Sequence, residues 1–300
     1  MRVQPGGVTS GGQSVPRRTF SALGRAGVLF LVFVGLWALW EGYRWFWMEM
    51  GWTRPFTVNS TTMPHIHEIV GALFDPINEG QPLLIDLLFH AAVFTAKEAV
   101  VGFAVGATIG FVLGAVIARF AVLGRGVMPY VVASQTIPIL AVAPIVVVGL
   151  GSLTILGWTP TDWMRVAVIA AYLTFFPVTV NTVRGLQSAD PAAVELMESY
   201  AAGEWAVFWK LRVPSALPFL FSAFRIAATA CVIGAIIGEL PTSIQDGLGG
   251  AIINFNQYYV LNPTNLWATN VIAALLGIGF FLVVVIVEKL VVHRPPEQLV

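Results

Sequence analysis

Lys97, Glu98, Arg225 and Glu239 are charged residues set within long apolar runs. Inside a membrane such charges are expensive, and they face the interior of a helix bundle or a water-filled path. Neighbours on a helix point about 100° apart, so Lys97 and Glu98 need not pair with one another. Glu239 falls near the end of its run, before Pro241, where solvation, a structural ion and a place in the path are all open readings. Gln135 and Thr136 stand just before Pro138, so polar side chains and a bent backbone coincide there. Carbonyls freed by proline at membrane depth persist only where protein or a water-filled cavity satisfies them. Gln135, Thr136, Pro138, Arg225 and Glu239 are therefore candidates for a translocation path.

Other chemistry finds little material. His65, His67, His90 and His293 are too scattered for a metal cluster, and Cys231 is the single cysteine, so a cysteine-based metal site or disulfide is not expected. No Ser/His/Asp constellation stands out. A P-loop needs Gly-Lys-Ser/Thr, and Lys97, Lys210 and Lys289 each follow a residue other than glycine. Nucleotide chemistry is thus expected of a partner, with no cofactor held by this chain.

The elements that must position these residues are membrane helices. Of 300 residues 57% are hydrophobic and only 11% charged, against about a quarter charged in soluble domains. The net charge is zero, which offers no basic face for nucleic acid. A spanning helix needs roughly 20 apolar residues, and six stretches qualify: about 26–46, 89–118, 127–150, 163–183, 219–240 and 266–292. The runs are too long and continuous for barrel strands. The fold class is all-α, a polytopic bundle of six transmembrane helices. Residues 1–24 read as a disordered cytoplasmic tail and 25–300 as the membrane domain. Arg17-Arg18 resembles part of a twin-arginine signal, but the following run flows into Trp37, Trp40, Trp45 and Trp47 without a cleavage site, as a retained span with an aromatic belt does. With the N-terminus inside, eleven of the sixteen basic residues fall in cytoplasmic segments, so both termini are expected in the cytoplasm.

Within the second span Gly102, Gly106, Gly110 and Gly114 recur every four residues and form one slowly drifting stripe. Such a stripe lets a neighbouring backbone approach closely. Whether the neighbour belongs to the same subunit or to a second copy is open at this stage.

Between the fourth and fifth spans lies the one substantial cytoplasmic loop, 190–218. Asp190 before Pro191 is a helix start, and the amphipathic stretch 192–201 breaks near Ala202-Gly203. A second short helix, about 204–211, is expected to end at Pro214. Two short helices between spans make a knob suited to docking another protein.

This loop resembles the EAA loop of bacterial ABC importer permeases, whose coupling helices sit in a groove of the ATP-binding subunit. The family pattern is a glutamate, a small pair, a variable stretch, a glycine and, further on, Leu-Pro. Glu195 matches the glutamate and Val213-Pro214 the Leu-Pro, with Pro218 following; Leu196 and Met197 replace the small pair, and Ala201 stands where the glycine usually does. Gly203 is the expected substitute for that break. Thr136-Ile137-Pro138, Ala143-Pro144, Phe176-Pro177 with Asn181, and Glu239 before Gly247-Leu248-Gly249 are similar to the nitrate/sulfonate/taurine branch. In that branch an arginine is usual where Glu98 stands. The likeness runs over about residues 85–292.

The resemblance implies a type I importer permease fold in the inner membrane. It implies ATPase coupling through Glu195, Ala201, Gly203, Val213, Pro214 and Pro218, and adds Asn181 to the path. It implies two permease copies, a separate ATPase binding ATP and magnesium, and an extracytoplasmic solute-binding protein. Substrates in the branch range from sulfonates and small oxyanions to thiamine pyrimidine precursors and riboflavin. An ion-coupled secondary transporter or channel is the alternative; it predicts inverted repeats with paired broken helices, and no second copy of any span pattern is evident. A membrane enzyme ranks third, for want of a catalytic cluster.

Overall fold

A computed structural model describes residues 22–292, apart from 53, 55, 56, 79, 155, 156, 158, 242 and 243. Most of the expected N-terminal tail, the Arg17-Arg18 pair and His293 lie outside the described residues. The described chain is helical: α1 (Ala22–Glu49), α2 (Ile66–Ala72), α3 (Leu84–Arg119), α4 (Ala121–Ser134), α5 (Ile139–Gly151), α6 (Asp162–Leu186), α7 (Pro191–Ser199), α8 (Glu204–Val207), α9 (Val213–Glu239), α10 (Leu248–Gln257) and α11 (Pro263–Val291). It forms two compact units that divide between Ile66 and His67.

In the first unit α1 holds the segment that follows it by polar contacts. Trp40 Nε1 donates to the Pro64 carbonyl at 3.1 Å, and Arg44 Nε donates to that of Met63 at 2.9 Å. His65 Nδ1 meets Glu41 Oε2 at 2.7 Å and also hydrogen bonds with Arg44. His65 is thus committed within the protein. The first expected span corresponds to α1.

The second unit is a bundle around α6. Four helical stretches are long and apolar enough to cross a membrane: 84–119, 162–186, 204–239 and 263–291. Of the apolar window of α6 61% is buried, against 6% in α11, so α6 is the core and α11 lies at the periphery. The glycine stripe of α3 faces α6. A Cβ on Gly106 would stand 2.5 Å from the Ala171 carbonyl oxygen and 2.7 Å from Thr174 Cβ; one on Gly110 would stand 2.6 Å from the Phe175 oxygen. Gly102 meets Ala170 and Gly114 meets Thr182 in the same way. The seam therefore lies within the subunit, which resolves the choice left open by the sequence. Small residues on both sides let the two backbones touch, and packing of this kind replaces the hydrophobic drive that lipid removes.

The third expected span departs from a single kinked helix. Helices α4 and α5 meet at a bend of 100° between Thr136 and Ile139. Proline disfavours helical geometry in the residue before it, here Ile137, and Pro138 has no N–H to return to the Ser134 carbonyl. The Ile137 N–H, at 3.4 Å, and the Tyr172 hydroxyl of α6 donate to that carbonyl instead. The carbonyl that Pro138 cannot serve is thus satisfied by a tight turn and by the core helix, as membrane depth requires.

Gly106→Val should lower unfolding stability in detergent by about 1–3 kcal/mol, the usual range for overpacking. Gly126→Ala, where a Cβ meets nothing within 4 Å, should not lower the denaturation midpoint, since alanine suits a helix interior better than glycine.

Candidate functional site

The loop after α6 forms its first helix as its sequence dictates. Asp190 caps α7, its side chain accepting from the Ala192 N–H at 3.0 Å, with Pro191 in the first turn. The helix ends in a Schellman arrangement: the Ala202 N–H returns to the Met197 carbonyl at 3.0 Å and the Ala201 N–H to that of Glu198 at 2.8 Å. Such an end needs a left-handed residue, and Ala201 takes it with φ 54°. That is the position where the resembled loop usually has glycine, which carries no Cβ to strain there. Gly203, expected to supply the break, instead precedes α8 with φ −65°, a conformation open to any residue.

The second short helix does not stop at Pro214. It runs from Glu204 through a π turn at Phe208–Arg212 straight into α9, with Pro214 in the first turn of α9 and Pro218 inside it. In a regular α-helix the ring of Pro214 would press on the carbonyl four residues back. The wider π turn, closed by the Val213 N–H on the Phe208 carbonyl, relieves that pressure.

Glu195, Tyr200 and Trp205 lie exposed on this knob, Tyr200 at 80% and Trp205 at 74%. Trp205, Phe208 and Trp209 form a ring cluster with centroids 5.3 to 6.1 Å apart. A cleft of about 720 Å³ beside it is lined by Arg119, Glu198, Glu204, Trp205, Phe208 and Arg212. Arg119 and Glu204 pair at 2.6 Å, but both are exposed, so the pair adds little stability.

At the far end of α9 Glu239 proves fully buried, which excludes the reading of a solvated residue. Its Oε2 accepts from the Gly249 N–H at 2.5 Å, and its Oε1 accepts from the Thr95 hydroxyl at 2.7 Å. The Thr95 oxygen in turn accepts from the Leu248 N–H at 2.9 Å. Glu239 therefore joins α9, α3 and the first turn of α10, where N–H groups lack helical partners and favour an anion. A Cβ on Gly247 would strike the Glu239 carboxylate, and one on Gly249 would stand 2.6 Å from the Ile236 oxygen. The Gly-Leu-Gly spacing is the room this contact needs. Glu98 is equally buried and neighbours Glu239.

The other path candidates do not gather around Glu239. Arg225, fourteen residues earlier on α9 and so about 21 Å away along the axis, pairs with Glu288 of α11 at 3.5 Å. Gln135 and Thr136 lie exposed at the α4–α5 bend, where the Thr136 hydroxyl donates to the Ala133 carbonyl. Pro138 leads into α5, and Asn181 donates to the Pro177 carbonyl of its own helix at 2.8 Å. Lys97 lies 4.1 Å over the Trp163 ring, apart from Glu98 as their helical offset requires. Thr95 and Tyr172 were missed; Thr95, Glu98 and Gly102 at i, i+3 and i+7 on α3 were the available signal.

Residues 106–294 match the family model described as the inner membrane component of binding-protein-dependent transport systems. The chain belongs to this family. The permease is similar to the formylaminopyrimidine transport permease protein ThiX of Halalkalibacterium halodurans, with 43% identity over 125 residues. That match spans 42% of this chain and about half, 46%, of the relative's length. It is 30% identical over 213 residues to the riboflavin transport system permease protein RibX of Chloroflexus aurantiacus, covering 71% of this chain and 75% of that one. It is 25% identical over 221 residues to the putative aliphatic sulfonates transport permease protein SsuC of Bacillus subtilis, covering 73% of each. A crystal structure of an amino acid ABC transporter with histidines matches with a TM-score of 0.55 at 13% identity, over 69% of this chain and 95% of that one, which shows the shared fold. The permease is thus a multi-pass membrane component of an ABC importer, a family that works with an ATPase and a binding protein.

Ala201→Gly removes the Cβ from a left-handed position and should raise unfolding stability by about 0.5–1 kcal/mol. Thermal denaturation in detergent, with Gly203→Ala as a neutral comparison, checks it.

Proposed function

We propose that the permease imports a flat, nitrogen-rich heteroaromatic solute of the vitamin-precursor type, delivered by an extracytoplasmic binding protein. The observation that carries this reading is the 43% identical segment shared with the formylaminopyrimidine permease. The riboflavin permease supports it at 30% identity, while the sulfonate permease stands at 25%. The chemistry along the helices agrees. A sulfonate would want a cation to meet it, and Arg225 is paired with Glu288.

In this reading ATP and magnesium are bound and ATP is hydrolysed by the partner ATPase, and two permease copies enclose the path with both termini in the cytoplasm. The ATPase grips the knob at 190–218 through Glu195, the Ala201 turn, Gly203, Val213, Pro214 and Pro218, beside the exposed Tyr200 and Trp205. Closure of the ATPases draws the two knobs together, and the bundles open alternately to each side. Gln135, Thr136, Pro138 and Asn181 are the candidates for the wall of the path, with Arg225 and Glu239 acting behind it.

Uptake of radiolabelled formylaminopyrimidine, riboflavin and taurine into proteoliposomes holding permease, ATPase and binding protein tests the substrate class. ATP-dependent uptake of the pyrimidine or the flavin, without taurine, is expected. Uptake of taurine alone would move the protein to the sulfonate class, and uptake that survives loss of the ATPase P-loop lysine would overturn the ATP-driven mechanism. In the same vesicles Glu195→Ala with Pro214→Ala should cut uptake about tenfold or more, equivalent to some 1.4 kcal/mol of lost coupling, at unchanged permease content.

A further inference from the structure

Helix α9 does not begin in the membrane. The helical run starts at Glu204 in the cytoplasmic knob and ends at Glu239 without a break, 36 residues in all. At 1.5 Å per residue it is about 54 Å long. Its last side chain grips the first turn of α10, through Gly249 directly and through Thr95 to Leu248. The grip is tight, because Gly247 and Gly249 leave no room for a Cβ against Glu239 or the end of α9. Beyond it, Leu248, Ala251 and Phe255 of α10 are buried with Leu84, Leu88 and Ala91 of α3 and Ala268 of α11. Asn254, Gln257 and Tyr258 remain exposed on the opposite side of α10.

A rod that starts at one end of the bundle and clasps a separate helix at the other is a mechanical connection. We propose that Glu239 is a positioning residue that makes α10 travel with α9, so that movement of the knob at 190–218 displaces α10 at the opposite mouth of the path. The proposal rests on the permease reading above. It assigns Glu239 a task that neither burial nor substrate contact describes: no solute needs to touch it. Thr95 is the second half of the clasp, since its hydroxyl donates to Glu239 while its oxygen receives the Leu248 N–H. Glu98 lies behind Glu239, and Lys97 points away to Trp163.

The test follows α10 through the ATP cycle. Gln257→Cys is placed in a Cys231→Ala background, and its reaction rate with a membrane-impermeant maleimide is read in the assembled transporter. The rate is compared without nucleotide and with ATP and vanadate. The parent protein should label at clearly different rates in the two states. Glu239→Ala should lose that difference while the assembled complex still hydrolyses ATP. Thr95→Val, which keeps the shape of the side chain and so its packing, should reduce the difference and guards against misfolding of the first variant. Glu98→Gln leaves the clasp on Gly249 and Thr95 in place and should keep the difference. A residue that merely stabilises the fold would alter labelling in both states alike. The proposal is overturned if the parent labels equally in both states while ATP-driven uptake proceeds, or if Glu239→Ala and Thr95→Val retain the full difference. Absence of ATP-driven uptake in the parent would instead sink the permease reading.

Discussion

The contact between the α3 and α6 backbones is the constraint on which the rest of the bundle depends. Lipid is as apolar as any side chain, so two membrane helices gain little from hiding leucines against each other. Gly102, Gly106, Gly110 and Gly114 let α3 approach α6 until carbonyl oxygens and small side chains touch. The fit converts dispersion into adhesion over several turns. With α3 seated, Thr95 and Glu98 on the same face are carried to the end of α9, and α6 brings Tyr172 to the bend between α4 and α5. Both polar contacts are consequences of that seam.

Two of the polar side chains, Glu239 and Tyr172, serve joints. The hydrogen bonds of Glu239 and Tyr172 satisfy a backbone group or a side chain next to a place where a helix starts or breaks. Gly249 and Leu248 open α10; Ser134 closes α4 before Pro138. An amide or carbonyl left bare in hydrocarbon costs several kcal/mol, so every irregularity in the bundle calls for a specific donor or acceptor. At these two joints irregular backbone and a polar side chain are found together.

Much of this is legible in the order of residues. Long apolar runs located α3, α6, α9 and α11, since length and hydropathy suffice where the solvent is lipid. Asp190-Pro191 marked the start of α7, and the four-residue glycine period marked a seam. What stayed hidden is pairing across distance. Nothing in the order of residues says that Thr95 meets Glu239, 144 positions on, or that the stripe faces α6 rather than a second copy. Pro214 misled for a local reason. Proline normally ends a helix, yet a π turn just before it lets the helix continue. Ala201 was visible as a departure from the resembled loop, but only its φ of 54° explains why glycine is favoured there.

The π turn at Phe208–Arg212 has one more effect. A residue added to a regular helix rotates everything beyond it by about 100°, whereas a π turn absorbs the addition within one wide loop of backbone. The knob and α9 can accordingly each keep their own azimuth. A residue can be gained or lost on the knob at this turn without rotating Glu239 away from Gly249 and Thr95.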